Sequence, residues 1–332
     1  MFIERKPGAS RSIERVFRQI DQALPDDQFT TEFQSVPYGN GISAILRNLL
    51  FFRPQPADIY HITGDVHYIA LVLPGKKTLL TIHDLIFLHG RSGLRRFVLK
   101  KLFLDLPLKR VARVTTVSKT VKGEIVSETA IRDERFTVID NPLNKDMLAR
   151  ESKPFNRHCP TILHIGTGEN KNLATLLTAV RGLPCRLRIV GRLPLRIVEQ
   201  LNSNEIVYEN IFDLDDEKMA DEYRRADIVS FCSTYEGFGL PIIEAQGMMK
   251  PLVTSDLPPM NIMAGAGAAL VDPLDERTIR NALDRIIGDE SYRSEIVRLG
   301  SENVRRFDRG DIADQYRKIY LQIFNGSNDE TA

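Results

Sequence analysis

Cysteine is scarce in this chain. Cys159, Cys185 and Cys232 stand far apart, and none belongs to a CxxC pair. That spacing argues against a disulfide framework and against a zinc site, and it suits a reducing compartment. Charge of one sign is lacking as well: 45 lysines and arginines face 44 acids, a formal net charge of +1. No global field therefore points to nucleic acid as a partner. No apolar run reaches about 18 residues, so no transmembrane helix is expected. The opening MFIERKPGASRSIERVF is charged throughout and lacks the apolar middle of a secretory leader. These absences lead to the expectation of a cytoplasmic protein.

What is present is an ordinary globular composition, 42% hydrophobic and 27% charged, over 332 residues. That length is ample for two domains. Short β-branched runs alternate with helical stretches, the pattern of parallel α/β layers. In the first half ADIYHI, KTLLTIHD, RVTTVS and FTVIDN read as strands, and the first strand, at FIERK, is short. SRSIERVFRQIDQAL reads as a helix with Ile13, Val16, Phe17, Ile20 and Leu24 on one face. In the second half TILHIG, CRLRIVG, EIVYEN, DIVSFC, PLVTSD and AALVD are strands separated by helices, and the chain ends in helix. Residues 141–159, charged and carrying two prolines, read as an interdomain linker.

One stretch carries chemistry. In TYEGFGLPIIEA, residues 234–245, Glu236 and Glu244 bracket a turn of glycines and apolar residues. The strand DIVSFCS precedes it and a helix begins at its end. Gly237 and Gly239 permit positive φ and close backbone approach. Pro241 suits a first helical turn, where its missing N–H is no loss. The free amides and the positive end of the helix dipole form an anion site suited to a diphosphate. A carboxylate so close to phosphate is better placed to accept hydrogen bonds from hydroxyls. Acids near helix starts are common as capping groups, but this pair across a glycine turn is not. The spacing fits a diphosphate flanked by hydroxyl-bearing groups, as in a nucleotide sugar.

The segment STYEGFGLPIIEAQGMMKPLVTSD resembles the EX7E signature of retaining GT-B glycosyltransferases, in particular glycosyltransferase family 4. IGTGENKNLATLLTAV and PLVTSDLPPMNIMAGAGAALVDPLD extend the likeness through the second half. GASRSIERVF, TIHDL, TVSKTVKGEI and VIDNPLN continue it more weakly in the first. The resemblance implies an α/β GT-B fold: two Rossmann-like, doubly wound domains facing a central cleft. Residues 1–145 would bind the acceptor, 146–308 the nucleotide sugar, and 309–332 would form a helix returning to the first domain. It implies that Glu236 binds donor-sugar hydroxyls, that Glu244 holds the ribose, and that the backbone of Gly237, Phe238, Gly239 and Leu240 faces sugar and diphosphate. Lys171, in the loop with Gly166 and Thr167, would neutralise the diphosphate. His83 matches the first-domain histidine near the reacting sugar, Gly8 would approach the diphosphate, and the base would lie near Asn210 and Ile211. The nucleotide sugar is then a substrate, with no cofactor and no metal required. The partners implied are that donor and a glycan or lipid-linked acceptor.

Departures accompany the likeness. The loop GTGENKN has Thr167 and Asn170 where an arginine is frequent in the family, and Arg192 of VGRL is the candidate replacement. SDLPPMNIMAG offers Met260 to Met263 where an acid is frequent. His61 and His67 are expected to line the acceptor side rather than bind a metal. The stretch RSGLRRFVLKKLFLDLPLKRVAR has eight basic residues and one acid. Its apolar residues cover most of the helical circumference, which favours a helix packed under the first domain, with contact at the inner face of a membrane as the lesser alternative. Rival readings are a glycosidase using the two glutamates, a nucleotide-sugar epimerase, and a non-catalytic nucleotide-sugar-binding protein. A dinucleotide dehydrogenase is disfavoured because GTGENK lacks the third glycine of its fingerprint.

Overall fold

A computed structural model of the chain describes residues 1–6, 12–39, 41–129, 131–149 and 154–328. Two units emerge, Met1–Pro142 together with the chain from Arg309 onward, and Leu143–Asp308.

The first unit is built on six parallel strands: β1 (Phe2–Glu4), β2 (Phe33–Ser35), β3 (Tyr60–Ile62), β4 (Thr78–Ile82), β5 (Arg113–Thr116) and β6 (Phe136–Val138). Their order in the sheet is β2-β1-β3-β4-β5-β6. All five residues of β4 are buried, as expected of a strand covered on both faces. Strand β2 has no counterpart in the sequence reading. It is a three-residue edge strand, half-buried throughout, and too short to show alternation. Phe33 holds it in place, stacked on Phe2 at 4.7 Å and covered by the Arg18 guanidinium 3.3 Å from its ring centroid.

The helix Ser12–Asp21 buries Val16, Phe17 and Ile20, the face expected from its period. The closing helix Arg309–Asn328 packs into the same core. Tyr316 and Tyr320 lie 5.9 Å from Phe17 and 5.7 Å from His61 respectively. His61 is therefore a core residue and does not line an acceptor surface. Its Nδ1 meets the Tyr320 hydroxyl at 2.8 Å and its Nε2 meets Thr81 Oγ1 at 2.7 Å. His67 is also buried, with Nδ1 donating to the Phe103 carbonyl at 2.8 Å.

The basic stretch departs from its expected packing. Leu104, Pro107 and Leu108 are buried, but the helix Gly93–Lys100 fully buries none of its residues. A π-helical turn, Lys101–Asp105, shifts the helical phase between the two parts.

The second unit repeats the design: β7 (Thr161–Ile165), β8 (Arg186–Val190), β9 (Tyr208–Ile211), β10 (Ile228–Phe231), β11 (Leu252–Ser255) and β12 (Ala269–Val271), all parallel. The sheet order is β12-β11-β10-β7-β8-β9, the doubly wound arrangement. Its core runs through Leu176, Leu187, Ile189, Ile228, Val253, Ile279 and Leu283. The expected linker is in part structural here. Leu143 and Met147 are buried, and the Leu143 and Ala149 amides donate to Phe307 O and Gly247 O at 3.0 and 2.9 Å. A Cβ on Gly247 would stand 2.3 Å from the Met147 carbonyl, so this chain entry needs glycine in the helix it crosses.

Candidate active site

The second sheet changes direction beside β7. The chain runs from β7 to β8 and β9 on one side, then returns to place β10 on the other. At such a switch point the loops leaving the carboxyl ends diverge and open a crevice. Lys171 comes from the loop after β7 and Glu236 from the loop after β10. Their Nζ and Oε1 atoms lie 2.6 Å apart, with both side chains mostly shielded from solvent.

Local backbone chemistry aims both residues. Gly166 has φ +93°, and a Cβ there would come within 2.8 Å of Lys171 Cγ, so the lysine stem lies across a position only glycine leaves open. The ammonium sits 5.0 Å from the Phe231 ring centroid. Two asparagines tie the loops together. Asn170 Nδ2 donates to Tyr235 O at 3.0 Å, and its own carbonyl accepts from Thr234 N at 2.8 Å. Asn172, left-handed at φ 58°, donates Nδ2 to Cys232 O and Pro273 O at 3.0 and 2.6 Å. The sequence reading singled out neither asparagine as a tie. The only local signal was the tolerance of asparagine for left-handed backbone.

After β10 the chain turns through Gly239, at φ 96°, into the helix Leu240–Gly247. Pro241 stands in its first turn and no side chain caps its start. The amide-rich, dipole-positive end is thus arranged as the sequence implies. Phe238 turns inward and packs edge-on against Phe307 at 5.7 Å, so this residue offers its backbone rather than its ring. Glu244 lies further along the helix and accepts a 2.6 Å hydrogen bond from the Tyr223 hydroxyl. Tyr223 is fully buried, and burial, then the Glu244 charge, hold its phenol well above the ordinary value. The phenol therefore keeps its proton as a donor. Its helix, Asp216–Arg225, is anchored by Glu222, which accepts from Arg188 Nε and Nη2 at 2.5 and 2.9 Å in a buried bidentate pair. Sequence reasoning missed Tyr223 because only folding brings it against a residue 21 positions away.

The remaining candidates are placed as follows. Thr167 Oγ1 donates to Arg192 O at 2.8 Å, which ties the β7 and β8 loops. The Arg192 guanidinium is exposed, pairs with Asp213 and covers the Phe212 ring at 4.4 Å. The Asn210 amide donates to Ile189 O and Gly191 O at 3.0 and 2.6 Å, so its side chain secures the end of β8, and Ile211 closes β9. Met260 and Met263 are buried in the helix Met260–Ala264. In the first unit His83 directly follows β4 and is nearly buried, with Nε2 2.9 Å from Thr63 O. A carbonyl only accepts, so Nε2 carries the proton and Nδ1 keeps its lone pair. Burial lowers the His83 pKa to about 4, against the opposing charge of Asp65. Gly8 lies outside the described residues. Among the described residues no group of three or more histidine, cysteine or acidic side chains could hold a metal ion, and no helix is long and apolar enough to cross a membrane.

Two parallel α/β units, with paired loops and an open helix start at the switch point of the second, define the GT-B class of fold. Residues 159–289 match the family model described as Glycosyl transferases group 1, and residues 17–146 match Glycosyltransferase Family 4. The chain belongs to glycosyltransferase family 4. It is 25% identical over 217 residues to the O-antigen chain mannosyltransferase RfbU of Salmonella typhimurium, covering 62% of this chain and 60% of the relative. It is 31% identical over 241 residues to an MMP α-(1→4)-mannosyltransferase of Mycolicibacterium hassiacum, covering 64% and 55%. Its matches thus span little more than half the length of these relatives. Among solved structures, sucrose-phosphate synthase from Thermosynechococcus elongatus superposes with a TM-score of 0.80 at 17% identity, over 98% of this chain and 99% of that one. Anabaena HepE in complex with UDP and glucose gives 0.73 at 14%, over 96% and 98%. At these identities the structural likeness speaks for the fold alone.

Proposed function

We propose that this chain is a hexosyltransferase that moves a sugar from a nucleotide-sugar donor to a glycan or lipid-linked acceptor with retention of anomeric configuration. It would work in the cytoplasm, in peripheral contact with the inner face of a membrane, and need no metal. The observation that carries the reading is the 2.6 Å meeting of Lys171 and Glu236 beside the uncapped start of the helix Leu240–Gly247. A departing diphosphate is already a stable anion, so the protein's task is orientation and electrostatic stabilisation. Lys171 and the first-turn amides receive that charge, each charge-assisted hydrogen bond contributing about 1.5–3 kcal/mol. Glu236 grips donor-sugar hydroxyls, and Glu244, oriented by Tyr223, grips the ribose. The Gly166–Thr167 turn and the backbone of Gly237 to Leu240 border the diphosphate, and the base rests near Asn210 and Ile211. His83 contributes a neutral imidazole whose Nδ1 accepts rather than donates, Gly8 approaches the diphosphate, and Arg192 is assigned as the replacement cationic contact to phosphate.

The relatives named above are mannosyltransferases, which makes mannose the sugar to test first. A thermal-shift panel of UDP-, GDP-, ADP- and dTDP-sugars, with GDP-mannose foremost, tests the donor site. A donor at 100 times its Kd stabilises by about 2.7 kcal/mol. One nucleotide class should raise the melting temperature, and Glu244→Ala should weaken that response. Equal, negligible responses across the panel would reject the site. Following labelled sugar from the responding donor to a glycan or lipid-linked acceptor then tests transfer.

A further inference from the structure

The first unit carries a helix turned inside out. In Ile42–Phe51 the buried residues are Ala44 and Asn48, and Asn48 Nδ2 donates to the Tyr68 hydroxyl at 2.8 Å and to Tyr38 O at 3.0 Å. The large side chains stand outward: Ile42 is 76% exposed, Leu46 55%, Leu50 62% and Phe51 61%. A spacing of four puts Ile42, Leu46 and Leu50 in one stripe, which an ordinary surface helix would bury. The helix Gly93–Lys100 repeats the arrangement, with Leu94 77% and Phe97 57% exposed. The two helices are linked through Tyr68. Held by Asn48, its ring meets Phe103 edge-on at 5.3 Å in the π-helical turn that continues the second helix. Exposed leucines scattered singly need no explanation; a stripe on each of two linked helices does.

The charge around these helices is one-sided. Residues 39–56 contain two arginines and residues 85–104 contain five arginines and lysines, and neither stretch has an acidic residue. Asp105 pairs with Lys100 and Lys101, and Glu128 with Arg96. Arg47, Arg53 and Arg95 have no acidic partner among the described residues. A two-fold contact between copies through this face would oppose like charges. A bilayer rich in anionic headgroups offers both an apolar interior for the stripe and phosphates for the arginines.

We infer that the helices Ile42–Phe51 and Gly93–Lys100 together form a docking face for an anionic lipid bilayer. The inference rests on the peripheral membrane contact proposed above and adds the surface and the lipid charge. The aliphatic stripe enters the boundary between headgroups and acyl chains, while the unpaired arginines meet lipid phosphates. This also accounts for the basic stretch lacking a clean face of its own. The face is shared with a second helix some fifty residues earlier in the chain.

The test is sedimentation of the full chain with vesicles of phosphatidylcholine alone and of phosphatidylcholine with phosphatidylglycerol. Affinity should rise on the order of tenfold or more with phosphatidylglycerol and fall as salt is added. Leu46→Ser with Leu50→Ser, and Arg47→Glu with Arg95→Glu, change exposed positions only. Each pair should weaken binding by at least about tenfold while the nucleotide-induced thermal shift, read in the second unit, stays at the wild-type value. Equal binding to both vesicle types, or variants that bind as tightly as wild type, would overturn this face while leaving membrane contact standing. No binding to either vesicle would overturn both. Dimerisation lost in the leucine variant would assign the face to a second copy and overturn the inference. An absent nucleotide response in the wild type would count against the transferase reading alone.

Discussion

The Lys171 ammonium and the Glu236 carboxylate meet at 2.6 Å across 65 residues of sequence, and both side chains are mostly buried. On the proposed reading, a diphosphate seated at the helix start would share that lysine with Glu236. Lys171→Ala should therefore raise the Kd for the nucleoside diphosphate by about 10–100-fold, the loss of one charge-assisted contact. Glu236→Gln frees the cation, so nucleoside diphosphate should bind at least as tightly as in wild type while sugar transfer falls. Titration calorimetry with the sugar-free nucleotide separates the two. An E236Q protein that loses nucleotide as K171A does would refute the division of labour.

Tyr223 offers a finer test of the ribose assignment. Tyr223→Phe keeps the buried ring and removes only the donor to Glu244. Affinity for a ribonucleotide should fall about 3–10-fold, the worth of one hydrogen bond of about 1 kcal/mol. Affinity for the 2′,3′-dideoxy analogue should not change. Glu244→Ala should show the same selectivity in larger measure. Equal losses on both ligands would mean that Glu244 does not read the sugar.

Gly166 couples backbone to lysine. Gly166→Ala places a methyl 2.8 Å from Lys171 Cγ at a φ of +93°. The second unit should lose about 1–3 kcal/mol, as for other side chains forced into rare backbone regions. Displacing Lys171 should also cost nucleotide affinity beyond that of a distant variant matched for stability. Urea denaturation together with calorimetry resolves the two effects.

Buried histidines set an acid limit. Burial lowers the pKa of His83 and of His164 from 6.5 to about 4, and drives His61 well below 6.5. The unfolded chain then binds more protons than the native one between about pH 6.5 and 4, so stability is lost as the pH drops through that window. Both units should respond, since His61 and His83 belong to the first and His164 to the second. A urea midpoint unchanged from about pH 7.5 to about pH 5 would contradict this. Paired carboxylates such as Asp105, whose pKa is held below 3.8, lose their contribution only at lower pH.

Much of the fold was legible because parallel strands covered on both faces are short apolar runs, and eleven of the twelve strands fall in stretches that read as such. Strand β2 did not, since its three half-buried residues draw their stability from the Phe2 ring and from Arg18. The loops bearing Lys171, Glu236 and Glu244 were legible because glycine and proline mark backbone geometry locally. His61 was misplaced, because whether a strand-end histidine faces a pocket or a core depends on what packs over it, here Tyr316 and Tyr320 from the far end of the chain.

The alternation of strand and helix, the glycine turns and the proline-started helix each follow from backbone preferences of a few consecutive residues. Tertiary structure alone decided that Lys171 would meet Glu236, that Tyr223 would orient Glu244, and that the helix Ile42–Phe51 would show its leucines to solvent. Those outcomes depend on sheet order and on which face a neighbour covers. Both arise from packing between segments distant in the chain, and no local preference encodes them.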